Sequence, residues 1–285
     1  MPTPTYADMT AVRGLFQRMR EGWPDPARYA AGLAPDADQI AVDGSLSRGR
    51  AQIERAHAGA LSGWAGGSAL TGRIDRLQFL GPDVALLTAY GDITFSASSG
   101  APGQRTIETV TAQRVRGGWT LVGCQFTPLG AWPAPRAVGV AVTGDADGVP
   151  ASAGEPPSDA DAALIRALYR QMLDRWLDAP AYAECFTYDS DYVTGGGRLE
   201  RGWQENVEGH QIIFSAWARD SHLAGRIEQI RRLGDDVAVV VAYGHIVFDD
   251  DRPDSGKRTV YSLIARKVDG SWVFAGYQNT PIIRL

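Results

Sequence analysis

"GYQNTP" occupies residues 276–281, and "GCQFTP" occupies residues 123–128. The offset between them is 153 residues, and it also sets Trp119 on Trp272, Trp23 on Trp176, Tyr29 on Tyr182, His57 on His210 and Trp64 on Trp217. Arg105-Thr106 falls on Arg258-Thr259, with no gap needed from Val12 to Pro128. Six of the 8 tryptophans pair at this one spacing, which chance does not produce. The chain is a duplication.

A unit of this size exceeds the roughly 20–50 residues of a solenoid repeat and matches a whole domain of about 100–150 residues with its own core. The boundaries read as a first domain over 1–129, a linker over 130–158 and a second domain over 159–285. The linker, "GAWPAPRAVGVAVTGDADGVPASAGEPPS", is rich in Pro, Gly and Ala and has neither helical nor strand periodicity. Its Trp132 and Val138–Val142 stretch are apolar for a free tether, so part of it is expected to lie against a domain.

Composition removes several classes of function. A net charge of −5 offers no basic surface to nucleic acid. Cys124 and Cys185 are the only cysteines, and the repeat sets them on Tyr277 and Gly32, so neither a disulfide framework nor a four-ligand zinc site is expected. No Gly-rich phosphate loop, nucleophile-elbow serine or His/Cys cluster at metal spacing is present. The start, "MPTPTYADMT", lacks the charged and apolar regions of a secretory signal, and the longest apolar run, Val237–Tyr243, is far short of a membrane span. A cytoplasmic chain without cofactor, metal, nucleic acid or membrane partner is the expectation.

Each copy can be read twice. Val12, Leu15, Phe16, Met19 and Trp23 recur at steps of three and four, as do Ile165, Leu168, Tyr169, Met172 and Trp176. This spacing predicts an amphipathic helix, with Ser158 and Asp161 as a capping signal at its second start. A short helix through Tyr29 or Tyr182 follows, then a third over about 50–64 or 203–217. Four long strands complete the first copy at 70–80, 83–95, 105–115 and 119–127, with Gly81-Pro82 and Gly117-Gly118 as turns. Helices followed by an antiparallel sheet is the α+β order. A long curved sheet wrapped around helices leaves a cone open at one end, which suits a small-molecule pocket.

These features resemble the cone-shaped fold of the nuclear transport factor 2-like superfamily, of ketosteroid isomerase and SnoaL type, and more closely the SgcJ/EcaC family within it. The resemblance rests on "IRALYRQMLDRW" (165–176), the "RG" at 48–49 and 201–202, the histidines at 57 and 210, "FLGPDVALLTAYG" (79–91) and "GSWVFAGYQNTP" (270–281). It implies two tandem α+β cones, cystatin-like, each with three helices and a curved antiparallel sheet. The cones would be packed as an intrachain pseudo-dimer in a monomeric chain. It also implies a cofactor-independent cyclase, isomerase or dehydratase acting on a hydrophobic, polyketide-like molecule in natural-product biosynthesis. A non-catalytic binding protein that shelters such a molecule is the alternative, and a scaffold of a biosynthetic complex a third.

Enzymes of this fold pair a carboxylate or His base with a Tyr or acid donor inside the apolar cone, where burial raises the carboxylate's pKa. The candidate acid–base groups are Asp43, His57, Tyr90 and Asp92 in the first copy, and His210, Tyr243 and His245 in the second. His57 and His210 lie on apolar helix stripes and read either as pocket-floor acid/bases or as buried histidines holding helix to sheet, the latter being favoured. Asp43, in "VDGSL", stands where related cyclases carry a catalytic Asp, but Asp-Gly is also an ordinary turn, the reading preferred here. Tyr90 and Tyr243 share strand faces with Asp92 and His245, and these faces are expected to look inward. The expected ligand-lining residues are Trp23, Tyr29, Trp64, Glu108 and Gln125, and in the second copy Trp176, Tyr182, Trp217, Tyr261 and Gln278. Asp36, Asp38, Asp189, Asp191 and the "DDDRP" run at 249–253 read as solvated. Asp43, Asp92 and Glu108 face Gly196, His245 and Tyr261 in the repeat, and bulky Phe186, Tyr188, Tyr192 and Tyr277 are expected to narrow the second cone. The first cone is therefore the expected functional one.

Overall fold

The computed structural model describes residues 4–96, 102–130, 159–249 and 258–283. The linker over 131–158, with Trp132, Val138–Val142 and Ser158, lies outside the described residues, as does most of the "DDDRP" run. The chain divides into two compact units.

In the first unit, helix α1 (Tyr6–Glu21) starts at Thr5, whose hydroxyl accepts from the Asp8 N–H while the Asp8 carboxylate accepts from the Thr5 N–H. This reciprocal capping satisfies backbone donors that the first helical turn leaves free. Val12, Leu15, Phe16 and Met19 form the stripe that α1 buries. Helix α2 (Pro26–Ala30) is capped by Asp25 and begins on proline, whose missing N–H is no loss at that position. Helix α3 (Arg50–Ser62) follows the short strands β1 (Leu33–Ile40) and β2 (Leu46–Arg48). Strands β3 (Ser68–Phe79), β4 (Val84–Phe95), β5 (Gln104–Val115) and β6 (Gly118–Pro128) form an antiparallel meander, as the alternating pattern predicts.

The sheet is mixed rather than wholly antiparallel. Its order is β2-β1-β6-β5-β4-β3, and β1 lies parallel to β6. Parallel neighbours need a long connection, and here everything from β2 to β5 provides it. The second unit repeats the plan with α4 (Asp159–Asp174), α5 (Ala179–Ala183), β7 (Phe186–Val193), β8 (Leu199–Arg201), α6 (Gly202–Ser215), β9 (Ser221–Arg232), β10 (Val237–Phe248), β11 (Thr259–Val268) and β12 (Ser271–Pro281). Its order, β8-β7-β12-β11-β10-β9, is the same.

Bends occur at matching places. The β3–β4 ladder slips at Asp75 and the β9–β10 ladder at Glu228, its counterpart. The β5–β6 ladder slips at Val122 and the β11–β12 ladder at Ala275. An extra residue in one strand bends it and increases its twist, so these bulges curl each sheet around its helices.

Each sheet has a helix-facing side and an outer side. In the second unit Ala238, Val240 and Ala242 of β10 join Tyr261, Leu263, Ala265, Phe274 and Tyr277 in one core with Ile165, Leu168, Tyr169 and Met172 of α4. Alternation then sets Val237, Val239, Val241, Tyr243 and His245 on the outer side. By the same register Leu87, Ala89 and Gly91 face the helices in the first unit, while Leu86, Thr88, Tyr90 and Asp92 face outward.

A tryptophan clasp closes each unit. Trp119 Nε1 donates to Asp8 Oδ1 at 3.1 Å, and Trp272 Nε1 donates to Asp161 Oδ1 at 3.0 Å. Arg114 pairs with Asp8 at 2.7 Å and lies over the Trp119 ring, while Lys267 pairs with Asp161 at 3.1 Å and lies over Trp272. A second tryptophan, Trp23 or Trp176, donates to Ser68 or Ser221. The pairs that revealed the duplication thus tie the first helix of each unit to its sheet. Two of the acidic residues expected to be solvated are not: Asp38 and Asp191 are buried on β1 and β7. Strand pairing draws that segment into the sheet, where a junction exposed to water was expected.

Trp119→Phe and Trp272→Phe each remove one indole donor from a clasp carboxylate. Each is expected to lower the stability of its own unit by about 1–2 kcal/mol. Urea unfolding followed by circular dichroism reads the loss, which should be similar for the two variants.

Candidate functional site

The site of the first unit starts from two glycines. Gly72 of β3 and Gly91 of β4 are cross-strand partners. A Cβ at Gly72 would overlap the Arg20 guanidinium and the Tyr90 carbonyl, and one at Gly91 would overlap the Glu108 carboxyl and the Thr106 hydroxyl. The missing side chains make a slot on the helix-facing side, and a buried ion pair fills it.

Arg20, from α1, and Glu108, from β5, meet there at 2.8 Å, with side chains only 3% and 0% exposed. Arg20 Nη2 also donates to the Tyr90 carbonyl at 2.8 Å, and the Thr106 hydroxyl donates to Glu108 Oε1 at 3.1 Å. The guanidinium lies over the Phe16 ring. Its Nε and Nη1 are buried without a protein partner, so the cation retains unused donors. Burial raises the Glu108 pKa, while Arg20 and Thr106 pull it back down.

Around this pair stands a wall of neutral groups. Tyr29 is fully buried and donates to Gln39 Oε1 at 2.8 Å. His57 stacks on Tyr29 with ring centres 4.1 Å apart, edge-on to Trp23. Its Nε2 donates to the Trp23 carbonyl at 2.7 Å, which fixes the tautomer. Burial lowers its pKa, so it stays neutral. Cys124 and Phe126 face inward on β6 opposite Val110 and Glu108, and burial pushes the Cys124 thiol pKa up.

The second unit fills the same positions with phenols. Tyr169 replaces Phe16, Leu173 replaces Arg20 and Tyr261 replaces Glu108. The two hydroxyls meet at 2.5 Å over Gly225 and Gly244, the counterparts of the glycine pair. Tyr182 bonds Tyr192 at 3.1 Å, and Tyr192 stacks on Tyr277 at 4.3 Å. Burial raises the pKa of all five phenols, that of Tyr169 to about 12, so they remain neutral donors and acceptors. His210 donates from Nδ1 to the Asn206 carbonyl at 2.8 Å, and burial lowers its pKa to about 4.

Several candidate residues stand elsewhere. Tyr90 and Tyr243 do not face inward: each lies on the outer side beneath an arginine, Arg73 or Arg226. Asp92 and His245 share that side, and Asp92 pairs with Arg105 at 3.3 Å. Register places them there, because their neighbours Gly91 and Gly244 face the helices. Gln125 and Gln278 also face outward, one residue from the inward Cys124 and Tyr277. Asp43 closes the β1–β2 turn, accepting from the Ser45 N–H at 2.9 Å and the Ser45 hydroxyl at 2.7 Å. Trp217 is 51% exposed and Trp64 half-buried, at the ends of their helices. Tyr188 is 81% exposed and narrows nothing. Trp23, Tyr29, Glu108, Trp176, Tyr182 and Tyr261 do line the two interiors. Arg20 was missed. Its signal was present: it lies on the apolar stripe of α1 where the repeat has Leu173.

No protein-family model and no curated protein matches the chain. Solved structures do, each over about half of it. A cystatin-like protein from Nostoc punctiforme is similar at 24% identity and a TM-score of 0.42, covering 45% of this chain and 81% of its own. Aln2 from a Streptomyces species is similar at 12% identity and a TM-score of 0.41, over 45% of this chain and 94% of its own. A ketosteroid isomerase-like protein from Erwinia carotovora shows 20% identity and a TM-score of 0.38, over 45% of this chain and 100% of its own.

Arg20→Leu strands a buried carboxylate and is expected to lower stability by about 3–5 kcal/mol. Phe16→Tyr/Arg20→Leu/Glu108→Tyr installs the second unit's arrangement in the same slot and should recover most of that loss in urea unfolding. In the second unit an unfolded His210 takes up a proton near 6.5 and the folded one only near 4. Its contribution to stability is therefore full above pH 6.5 and declines as pH falls toward 4. His210→Gln should cost about 1–3 kcal/mol at pH 7 and remove that acid-side slope from a pH series of unfolding curves.

Proposed function

We propose that the first unit binds a hydrophobic carbonyl compound, polyketide-like in character, and moves a proton next to its carbonyl group without a cofactor. One observation carries this reading. In the first interior a carboxyl whose pKa burial raises lies beside a guanidinium with two unpartnered donors. Such a carboxyl suits proton abstraction, a step to which a positioned base contributes about 10²–10⁴-fold. The spare donors of Arg20 suit the oxygen that gains charge as the enolate forms. Tyr29, Trp23 and Phe126 supply the apolar surround. Isomerisation, cyclisation and dehydration all begin with this step. Asp43, His57, His210, Tyr90, Asp92, Tyr243 and His245 have no part in it.

A binding protein without turnover is the second reading, favoured by the hydrogen bonds that already engage both oxygens of Glu108. We also propose a monomeric chain. The outer sides carry matching apolar residues, Val84 and Leu86 in one unit and Val237 and Val239 in the other. The duplication already supplies two copies of that patch within one chain.

2-Tetralone, a bicyclic ketone with acidic α-protons, separates the readings. The protein should accelerate exchange of these protons for deuterium, followed by NMR, and should bind 2-naphthol as a planar mimic of the enolate. Glu108→Gln should lose the exchange by at least about 100-fold while 2-naphthol affinity stays within a few-fold, and Asp43→Asn should retain both. Binding without exchange would establish the second reading. Light scattering at micromolar concentration should give the chain mass of 30.6 kDa.

A further inference from the structure

The two copies differ at four positions that belong together. The first has Ala37, Ser47, Ile53 and Ala56, and the second has Ser190, Glu200, Asn206 and Gly209. Glu200 on β8 is the cross-strand partner of Tyr192 on β7, so the two share the helix-facing side. Ser190 stands two residues before Tyr192 on that side of β7 and is 0% exposed. Asn206 and Gly209 are one turn apart on α6, and a Cβ at Gly209 would fall on the Glu200 carboxyl. Loss of that methyl group therefore admits the carboxyl between sheet and helix.

Three polar groups there lack partners. Glu200 Oε2, Ser190 Oγ, and both Oδ1 and Nδ2 of Asn206 are buried without a hydrogen bond, although Glu200 is only 3% exposed and Asn206 0%. Orphaned polar atoms in a protein interior are rare, and several converging on one spot mark a place for ordered water. Each of the three groups both donates and accepts when the carboxyl is protonated, as water does.

We propose that Ser190, Glu200 and Asn206 form a buried hydration site in the second unit, where ordered water bridges β7, β8 and α6 and exchanges protons with Glu200. The carboxyl has a way out to solvent, because its other oxygen lies 3.6 Å from Arg198, whose side chain is 57% exposed. The groups facing it are Arg198, just before β8, Tyr192 on β7, and Glu205 and the neutral His210 on α6. Asp191 and Arg201, 3.7 Å apart, are cross-strand partners on the other side of the sheet. Burial raises the Glu200 pKa from 4.5 to about 7, Arg198 lowers it and Glu205 raises it. Between those values the folded chain holds a proton that the unfolded chain has lost. This contribution to stability therefore declines as pH rises from 4.5 to 7, opposite in sign to that of His210.

A crystal structure of the full chain should show solvent density within hydrogen-bonding distance of at least two of the three side chains. Direct bonds among them, with no such density, would overturn the site. Unfolding curves give an independent reading. Glu200→Gln and Asn206→Ile should each lower the urea midpoint, and only Glu200→Gln should abolish the decline between pH 4.5 and 7. Ser190→Ala/Glu200→Ser/Asn206→Ile/Gly209→Ala, which installs the first copy's residues, should restore the midpoint to within the error of the parent. Losses that simply add in this fourfold variant would show four independent packing positions and no shared site.

Discussion

Two polar side chains must fit between the first helix and the bend of the sheet in each unit, and only paired glycines leave room for them. Gly72 faces Gly91, and Gly225 faces Gly244. At each pair a polar side chain of the first helix lies against the glycines, and in the first unit Arg20, in the last turn of α1, reaches the Tyr90 carbonyl. A Cβ at Gly72 or Gly225 would collide with the helix side chain, Arg20 or Tyr169, and one at Gly91 or Gly244 with the strand side chain that meets it, Glu108 or Tyr261. The bulges at Asp75 and Glu228, three residues past Gly72 and Gly225, supply the curvature that presents the slot to the helix. Helix position, sheet curvature and the chemistry of the interior thus depend on one packing constraint.

The copies satisfy that constraint with different chemistry. Arg20 and Glu108 bring full charges into the first interior, where they are mutually compensating but not fully hydrogen-bonded. Breaking such a pair is expensive, while exchanging it whole for neutral groups is often tolerated. The second copy shows that exchange: Tyr169 and Tyr261 meet over the same glycines, and Leu173 stands where the cation was. A neutral phenol network rigidifies a core, and an incompletely bonded ion pair retains donors for something else. On this difference rests our proposal that function resides in the first unit. The difference leaves the second with the more aromatic core and with a separate polar cluster between β7, β8 and α6.

Much of this was legible from the chain alone. The 153-residue offset, the helix stripes and the four long strands of each copy follow from repetition and periodicity, because local patterning and the tryptophan pairs recur in register. The burial of His57 and His210 and the turn at Asp43 were also accessible, since an amphipathic stripe and an Asp-Gly pair carry their explanation locally, but the two histidines bond the Trp23 and Asn206 carbonyls and not the sheet. Arg20 could have been found as a cation on an apolar stripe facing a leucine in the repeat.

The sequence by itself determined the three helices and four long strands of each copy, that the plan is used twice, and which positions diverged between copies. It could not decide which side of a strand faces the helices, because alternation gives two faces without labelling them. Tyr90, Tyr243, Gln125 and Gln278 were placed on the wrong side for that reason. Only the tertiary structure set Gly91 and Gly244 against the interior, and that single choice fixes every other residue on the strand. Likewise, the meeting of residues 20 and 108, or of 190, 200 and 206, comes from separate elements brought together by packing. No local pattern encodes such a contact, because its energy exists only once the sheet has bent around the helices.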